Sequence, residues 1–347
     1  MTVKKDEKQL TISQIYAKGK ENLRKCGADW VYPGGKRGPA VNANREHLDS
    51  LFFEPRFLDP VEVDTSFTFL GMNLKTPVFC SAISRLPHMS EDDLAGIATG
   101  VSRAGSLIML GIGGSDELQK AIDTGARVVK MVKPYRRTEL IYEKIRDAKG
   151  RGCVAVGMDI DHCYGRLRVD QVDMIETFSP QDTDELRKLI SQTKLPFIMK
   201  GVLSVSDAER AVELGASAIV VSNHGSGAFD YTVPSLIALP DIVERVGDKV
   251  AVMVDTGFEN GNDVFKGLAL GAKGVGIASS VILAFAADGA QGVELLINLI
   301  TAELRRAMAA TGCQSLSSIN KSIIRRVLPR GQPSQYMWRC WTQAEAE

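Results

Sequence analysis

AIVVSNHGSG, at residues 218–227, joins an apolar, β-branched run to small and polar residues that include a histidine. Such a run is typical of a buried strand, and the pattern predicts that this strand delivers His224 at its C-terminal end. An amphipathic helix at residues 205–214, closed by Gly215, precedes it. In parallel α/β folds the loops at the strand C-termini carry the chemistry, so His224 is a candidate functional residue. The alternative is a hydrogen-bonded core histidine.

The same alternation of strand and helix patterns recurs along the chain. Apolar runs lie at residues 77–83, 106–110, 127–132, 153–160, 196–201, 218–224, 250–257 and 274–279. Helical patterns lie at residues 92–104, 117–124, 138–149, 184–192, 205–214, 234–246, 263–270 and 293–310. Eight β/α units whose strands are apolar throughout predict an α/β protein with a closed (β/α)8 TIM barrel, and a doubly wound sheet is the alternative.

The units leave additional sequence at both ends. Residues 1–76 are expected to form an N-terminal helical extension, 77–323 the barrel and 324–347 a C-terminal tail that packs on a neighbouring subunit. The connection at residues 162–183 is long and polar, which favours a lid over the site. A chain of 347 residues suits one barrel with extended ends.

Composition excludes several classes of function. The 42 basic side chains balance 42 acidic ones, and no basic stripe is interleaved with aromatic residues, so no nucleic-acid partner is expected. The six cysteines lack CxxC spacing, and the N-terminus lacks an apolar segment, so we expect a reduced, cytoplasmic protein without a membrane partner. The sequence contains no HExxH, GxSxG or paired Cys/His ligand spacing, and no metal site is expected.

Four motifs resemble those of a known family. They are SNHG at 222–225, KGV at 200–202, DVFK with LALGA at 263–272, and PRFL at 55–58. With these motifs the chain resembles the FMN-dependent α-hydroxy acid dehydrogenases and oxidases, which include glycolate oxidase, lactate oxidase and mandelate dehydrogenase. The resemblance covers roughly residues 12–325. It implies FMN as cofactor, a small-molecule substrate and a homo-oligomer, commonly a tetramer.

The resemblance also assigns roles to individual residues. It implies that His224 is the base, that Asp159 pairs with it, and that Lys200 faces the flavin where a cation stabilises the reduced ring. Contacts with the cofactor are implied for Ser81, Ala82, Lys130, Lys200, Ser222, Asp255, Gly257, Phe258, Gly276 and Ser279. Contacts with the substrate are implied for the positions of Trp30, Val132, Arg166 and Gly227.

This sequence departs from the family where the substrate binds. The family's carboxylate-clamping arginine aligns with Gly227, and its two substrate tyrosines align with Trp30 and Val132. A bidentate arginine–carboxylate contact is a strong anchor, so its loss predicts a substrate other than a small 2-hydroxy acid. Arg166 is a candidate for the remaining anion contact. The family's flavin-contacting glutamine and a threonine align with Lys130 and Gly157.

The phosphate site is changed as well. The family's two phosphate arginines align with Glu259 and Ser279, which leaves backbone N–H groups and the hydroxyls of Ser279 and Ser280 to hold the phosphate. Two hypotheses therefore stay open. One is an FMN-dependent oxidoreductase with a new substrate. The other is a non-redox isomerase or lyase that uses the pair His224 and Asp159 as base, and Lys200 or Lys130 as electrophile.

Overall fold

A closed barrel of eight parallel strands forms the centre of the protein, as the sequence predicts. The computed structural model describes residues 9–28, 38–58, 60–84, 92–164, 177–228 and 230–327. The barrel strands are β4 (Val78–Ile83), β5 (Leu107–Leu110), β6 (Arg127–Val132), β7 (Ala155–Asp159), β8 (Phe197–Val202), β9 (Ala218–Val221), β10 (Ala251–Asp255) and β11 (Gly274–Ile277). Each pairs in parallel with the next, and β11 pairs with β4 to close the ring.

A helix follows each barrel strand. These helices are α3 (Asp93–Arg103), α4 (Ser115–Asp123), α5 (Thr138–Arg151), α6 (Thr183–Thr193), α7 (Val205–Glu213), α8 (Ser235–Val246), α9 (Gly261–Ala269) and α10 (Ser279–Ala310). Local signals set their starts: the Ser204 hydroxyl accepts the N–H of Asp207 at the start of α7, and Asn260 caps α9 through the N–H of Asp263. The alternation that the sequence predicts is confirmed.

The barrel interior changes character along its axis. Its N-terminal half is apolar and is filled by side chains such as Phe79, Leu107 and Val129. The short hairpin of β2 (Phe67–Phe69) and β3 (Met72–Leu74) packs against this cluster and closes that end. The polar interior side chains therefore lie at the C-terminal ends of the strands, where barrel enzymes place their sites.

The N-terminal extension packs onto the barrel. Helix α1 (Ile12–Lys25) lies so close to α10 that a Cβ on Gly19 would stand 2.1 Å from the carbonyl oxygen of Leu283. Helix α2 (Pro39–Asp49) follows, and β1 (Leu51–Phe53) pairs antiparallel with β12 (Ile324–Arg326). The first residues of the expected C-terminal tail thus pair with the extension of the same chain. Residues 328–347 lie outside the described part.

Helix α10 is long and apolar enough, by length and composition, to cross a membrane. Its apolar side chains, among them Val293, Leu296 and Ile300, are instead buried in the protein core. The backbone leaves helical geometry at Asp288 and Gly289, which divides the helix in two. A core helix of a barrel accounts for this composition, because such helices are buried on much of their surface.

Candidate active site

Strands β4, β8, β9 and β10 bring a set of buried polar groups together at their C-terminal ends. The Nζ of Lys200 donates to the hydroxyl of Ser222 at 2.8 Å and lies 3.1 Å from Oδ2 of Asp255. The Ser81 hydroxyl donates to the same carboxylate. Burial lowers the pKa of Lys200, but Asp255 and Asp159 outweigh burial, so the pKa is raised overall. Lys200 is therefore a permanent buried cation.

His224 stands in the turn after β9 in a left-handed conformation, with φ at +53°. Its Nδ1 lies 2.9 Å from Oδ2 of Asp161, and because a carboxylate only accepts, we assign the proton to Nδ1. Burial lowers the pKa of His224, while Asp161 opposes this shift. The imidazole is thus neutral near neutral pH, with the lone pair of Nε2 free to accept a proton.

The carboxylate that pairs with His224 is not the expected one. Asp159 ends β7 opposite Lys200, and its Oδ2 accepts instead from the Nζ of Lys133 at 2.8 Å. Burial raises the pKa of Asp159, yet Lys133, His224 and Lys200 lower it overall. The prediction of a direct Asp159–His224 pair is wrong, because the chain turns after Asp159 and Asp161 reaches the imidazole first.

Asp161 and His162 are site residues that the sequence analysis missed. They lie in the short 3-10 turn Ile160–His162 directly after β7. The His162 ring packs edge-on against that of His224, with centroids 4.1 Å apart, and its Nδ1 lies 3.2 Å from Oδ1 of Asp161. Burial and the neighbouring His224 lower the pKa of His162 to about 3, so this imidazole is neutral as well. The signal was present as DIDH at residues 159–162, immediately after a predicted strand.

Strand β6 presents different residues to the barrel interior from those expected. Met131 packs among the interior side chains, and Lys133 reaches Asp159. Val132 belongs to the outer core. Lys130 donates to the carbonyl of Gly111 at 2.5 Å.

Surroundings confirm that Lys130 points outward. Burial and Lys144 of α5 lower its pKa to about 8, with weaker opposing effects from Glu117 of α4 and Asp147 of α5. Side chains alternate along a strand, so a displacement of one residue reverses the face. The assignments of Lys130 to the cofactor and Val132 to the substrate are wrong by one residue. Met131 and Lys133 occupy the inner face.

The loops after β10 and β11 form the other half of the site. Gly257 is left-handed at φ +88°, and its carbonyl accepts from Arg45, which also binds Asp263 at 2.8 Å. The Phe258 side chain is buried in the outer core, so its backbone is what it offers to a ligand. A Cβ on Gly276 would lie 2.8 Å from the Phe79 ring, so only glycine fits there.

The remaining predicted site residues lie partly inside and partly outside the described part of the chain. Ala82 in β4 is partly buried and packs against the interior cluster. Gly227 follows the His224 turn, with its N–H bonded to the carbonyl of His224 at 3.1 Å. Trp30, Arg166 and most of the expected lid lie outside the described residues.

The family profile of the FMN-dependent dehydrogenases matches residues 19–183 and 169–326. The chain belongs to the FMN-dependent dehydrogenase family. Glycolate oxidase 3 of Arabidopsis thaliana is 28% identical over 354 residues, covering 91% of this chain and 96% of that protein. Glycolate oxidase of Spinacia oleracea is 28% identical as well, over 90% of this chain and 95% of that protein.

Solved structures of similar proteins support the same family assignment. A structure of mandelate oxidase is similar with a TM-score of 0.83 at 28% identity, covering 92% of this chain and 98% of that one. A mandelate oxidase mutant with a monooxide FMN adduct has a TM-score of 0.78 at 28% identity, over 89% of this chain and all of that one. The protein is thus an oxidoreductase whose cofactor is FMN.

The residues present fit this cofactor. The N–H groups of Ser279 and Ser280, at the start of α10, form no hydrogen bond with the described residues, and helix N-termini bind phosphate. Gly257 and Gly276 shape the neighbouring loops, since a Cβ at either position would meet the Asn44 or the Phe79 side chain. Lys200 would lie against the isoalloxazine and Ser279 against the phosphate. The phosphate contact would rely on these backbone dipoles, because Glu259 and Ser279 stand at the positions where the resemblance implies arginines.

Proposed function

We propose that the protein oxidises a hydroxyl-bearing substrate other than a small 2-hydroxy acid, with His224 as the base. The observation that carries this proposal is a neutral imidazole held by Asp161 at 2.9 Å, with the buried cation Lys200 3.3 Å from the same Nδ1. FMN, when bound, accepts the hydride equivalent from the substrate carbon. The chain's own groups handle the proton and the charge.

His224 takes the hydroxyl proton on Nε2 while Nδ1–H keeps its bond to Asp161. The carboxylate of Asp161 stabilises the imidazolium that forms and keeps the ring in one tautomer. Lys200 remains charged throughout the reaction, and it stabilises the negative charge that forms beside it when the substrate is oxidised.

Charge in the site supports a substrate without a carboxylate. Lys133 and Lys200, the two cations that the described residues bring to the cluster, are each within 3.1 Å of a carboxylate, Asp159 and Asp255 respectively. Asp161 adds a third carboxylate, whose described ion-pair partners are the two imidazoles. Gly227 offers no side chain to an anion. A carboxylate substrate would lose a charge-assisted contact worth about 1.5–3 kcal/mol, roughly 10- to 150-fold in affinity.

Anaerobic mixing of the flavin-loaded protein with candidate substrates tests this proposal. We expect glycolate, lactate and mandelate to bleach the flavin slowly, and larger uncharged alcohols with an apolar part to bleach it faster. Gly227→Arg should improve the 2-hydroxy acids, while Gly227→Met, which adds length without charge, should not. Rapid bleaching of the wild type by glycolate or lactate would show the argument from the missing arginine to be wrong. The non-redox hypothesis predicts turnover by protein freed of flavin.

A further inference from the structure

Three side chains in the site form a set of metal-ligand donors, and the proposed oxidation does not require all three together. Asp161 and His162 from the turn after β7, and His224 from the turn after β9, each offer one ligand atom, and these atoms lie within 4.8 Å of one another. Two imidazoles and one carboxylate suit first-row transition cations. In a tetrahedral zinc site, bonds of about 2.0–2.2 Å place neighbouring donors about 3.4 Å apart, so the set would close by about 1.4 Å at most.

His162 supplies an independent observation. Its side chain is 2% exposed, and its Nε2 is buried with no hydrogen-bond partner among the described residues. A buried polar atom without a partner is costly and rare in folded proteins. The hydride transfer assigns no role to this nitrogen, and coordination of a cation through Nε2 would satisfy it.

Charge around the donor set favours a cation. Lys200 lies 3.3 Å from Nδ1 of His224, but Asp255 stands 3.1 Å from its Nζ and neutralises it. Lys133 is neutralised in the same way by Asp159. Among the residues that the structure describes, the carboxylate of Asp161 is then the charge in excess, and both imidazoles beside it are neutral and able to donate lone pairs.

We propose that Asp161, His162 and His224 bind one divalent transition-metal cation of the zinc class, and that the bound ion inhibits the oxidoreductase. The His224 lone pair cannot serve the cation and the substrate proton together, so the two uses exclude each other. The binding claim stands apart from the proposed substrate, while the inhibition claim rests on the proposed function.

Calorimetric titration of the chelator-washed, flavin-loaded protein with ZnCl₂ tests the binding. We expect one saturable site per chain, and a loss of affinity of at least about 10- to 100-fold in His162→Gln, since weakening even a supporting group of a metal site costs that much. His47→Gln removes a partly buried histidine on α2, outside the donor set, and should leave the affinity unchanged. Equal affinity in His162→Gln and the wild type, or only unsaturable surface binding, would overturn the proposal.

Two measurements do not depend on how well the variant folds. Addition of CoCl₂ to the wild type should produce ligand-field absorption bands on the long-wavelength side of the flavin bands, and their absence would refute coordination by this donor set. Zn²⁺ should also slow substrate-driven bleaching of the flavin, and a chelator should restore it. If zinc binds at the His162-dependent site and bleaching is unaffected, the inhibitory role is wrong while the site stands. If no tested alcohol bleaches the flavin, the proposed function fails and the titration still decides the metal site.

Discussion

The two halves of the site hold their ligands by different means. On the base side, at the ends of β7, β8 and β9, Asp159, Asp161 and Lys200 are buried full charges within 4 Å of an opposite charge or an imidazole. On the phosphate side, after β10 and β11, the offered groups are backbone N–H dipoles and the Ser279 hydroxyl at the start of α10, since the Ser280 hydroxyl donates to the carbonyl of Phe258. Full charges stabilise a reaction in which charge moves, whereas fixed dipoles suffice to hold a group that does not react. Substitutions on the base side should therefore change rates, and those on the phosphate side should change cofactor affinity.

The largest effect is expected from His224→Ala. Loss of the base should slow substrate-driven flavin reduction by about 10²- to 10⁴-fold. The affinity for FMN should stay close to the wild-type value. Stopped-flow absorbance under anaerobic conditions measures the rate, with His47→Ala as a control for loss of a partly buried histidine outside the site. A near-normal rate in His224→Ala would show that His224 is not the base of the reaction.

A smaller loss of rate, on the order of 10²-fold, is expected from Asp161→Asn, because the base remains but loses the carboxylate that orients it. The fall of the rate at acid pH, the acid limb of the pH–rate profile, distinguishes this variant from one that is merely less stable. The neutral form of His224 is the active one, and its pKa lies below the ordinary 6.5, so the wild-type rate should hold as the pH falls through 6.5 and drop only in more acid solution. Asp161 raises that pKa, so Asp161→Asn should move the limb to still lower pH.

Asp159→Asn is the matched comparison for that variant. It removes the carboxylate from the buried ion pair with Lys133, and breaking such a pair costs about 3–5 kcal/mol of stability, so its rate must be taken per folded, flavin-loaded molecule. We expect its acid limb to shift less than that of Asp161→Asn. The reverse order would make Asp159 the working partner of the base.

The smallest effect is expected on the phosphate side. Ser279→Arg should tighten FMN binding by about 10-fold, or about 1.4 kcal/mol, because it adds one charge-assisted contact to the phosphate. The binding should also become more sensitive to salt. Fluorescence titration of flavin-free protein measures both, with Ser279→Gln as the uncharged control. An unchanged affinity would mean that the phosphate is not held at the start of α10.

Sequence alone predicted the barrel because every strand and helix carries its own periodic signal. Lys200, Ser222, Asp255 and His224 were placed correctly at strand ends for the same reason. The sequence could not determine which face of a strand points into the barrel. Lys130 and Val132 were expected inside, but Met131 and Lys133, one position along the chain, lie there. The pairing of β6 with β7 decides this orientation. The tetrameric assembly and the cytoplasmic location stay predictions.

The pairing of Asp161 with His224 could not be predicted from the sequence, for a different reason. Asp159 and Asp161 are both carboxylates at the same strand end, and the choice between them depends on a turn whose shape is set by tertiary contacts. His162 carried no ligand spacing in the sequence, because its companions Asp161 and His224 are 1 and 62 residues away.

Gly201 makes the residue tolerated at position 201 dependent on the residue at position 161. It is left-handed at φ +93°, and a Cβ there would lie 2.5 Å from Cγ of Asp161. The aspartate occupies the space that the missing side chain leaves. With alanine at position 201, the carboxylate of Asp161 would have to leave its place beside the imidazole. The effect of a substitution at one position thus depends on the residue at the other, and Gly201→Ala should be tolerated far better in an Asp161→Gly background than in the wild type.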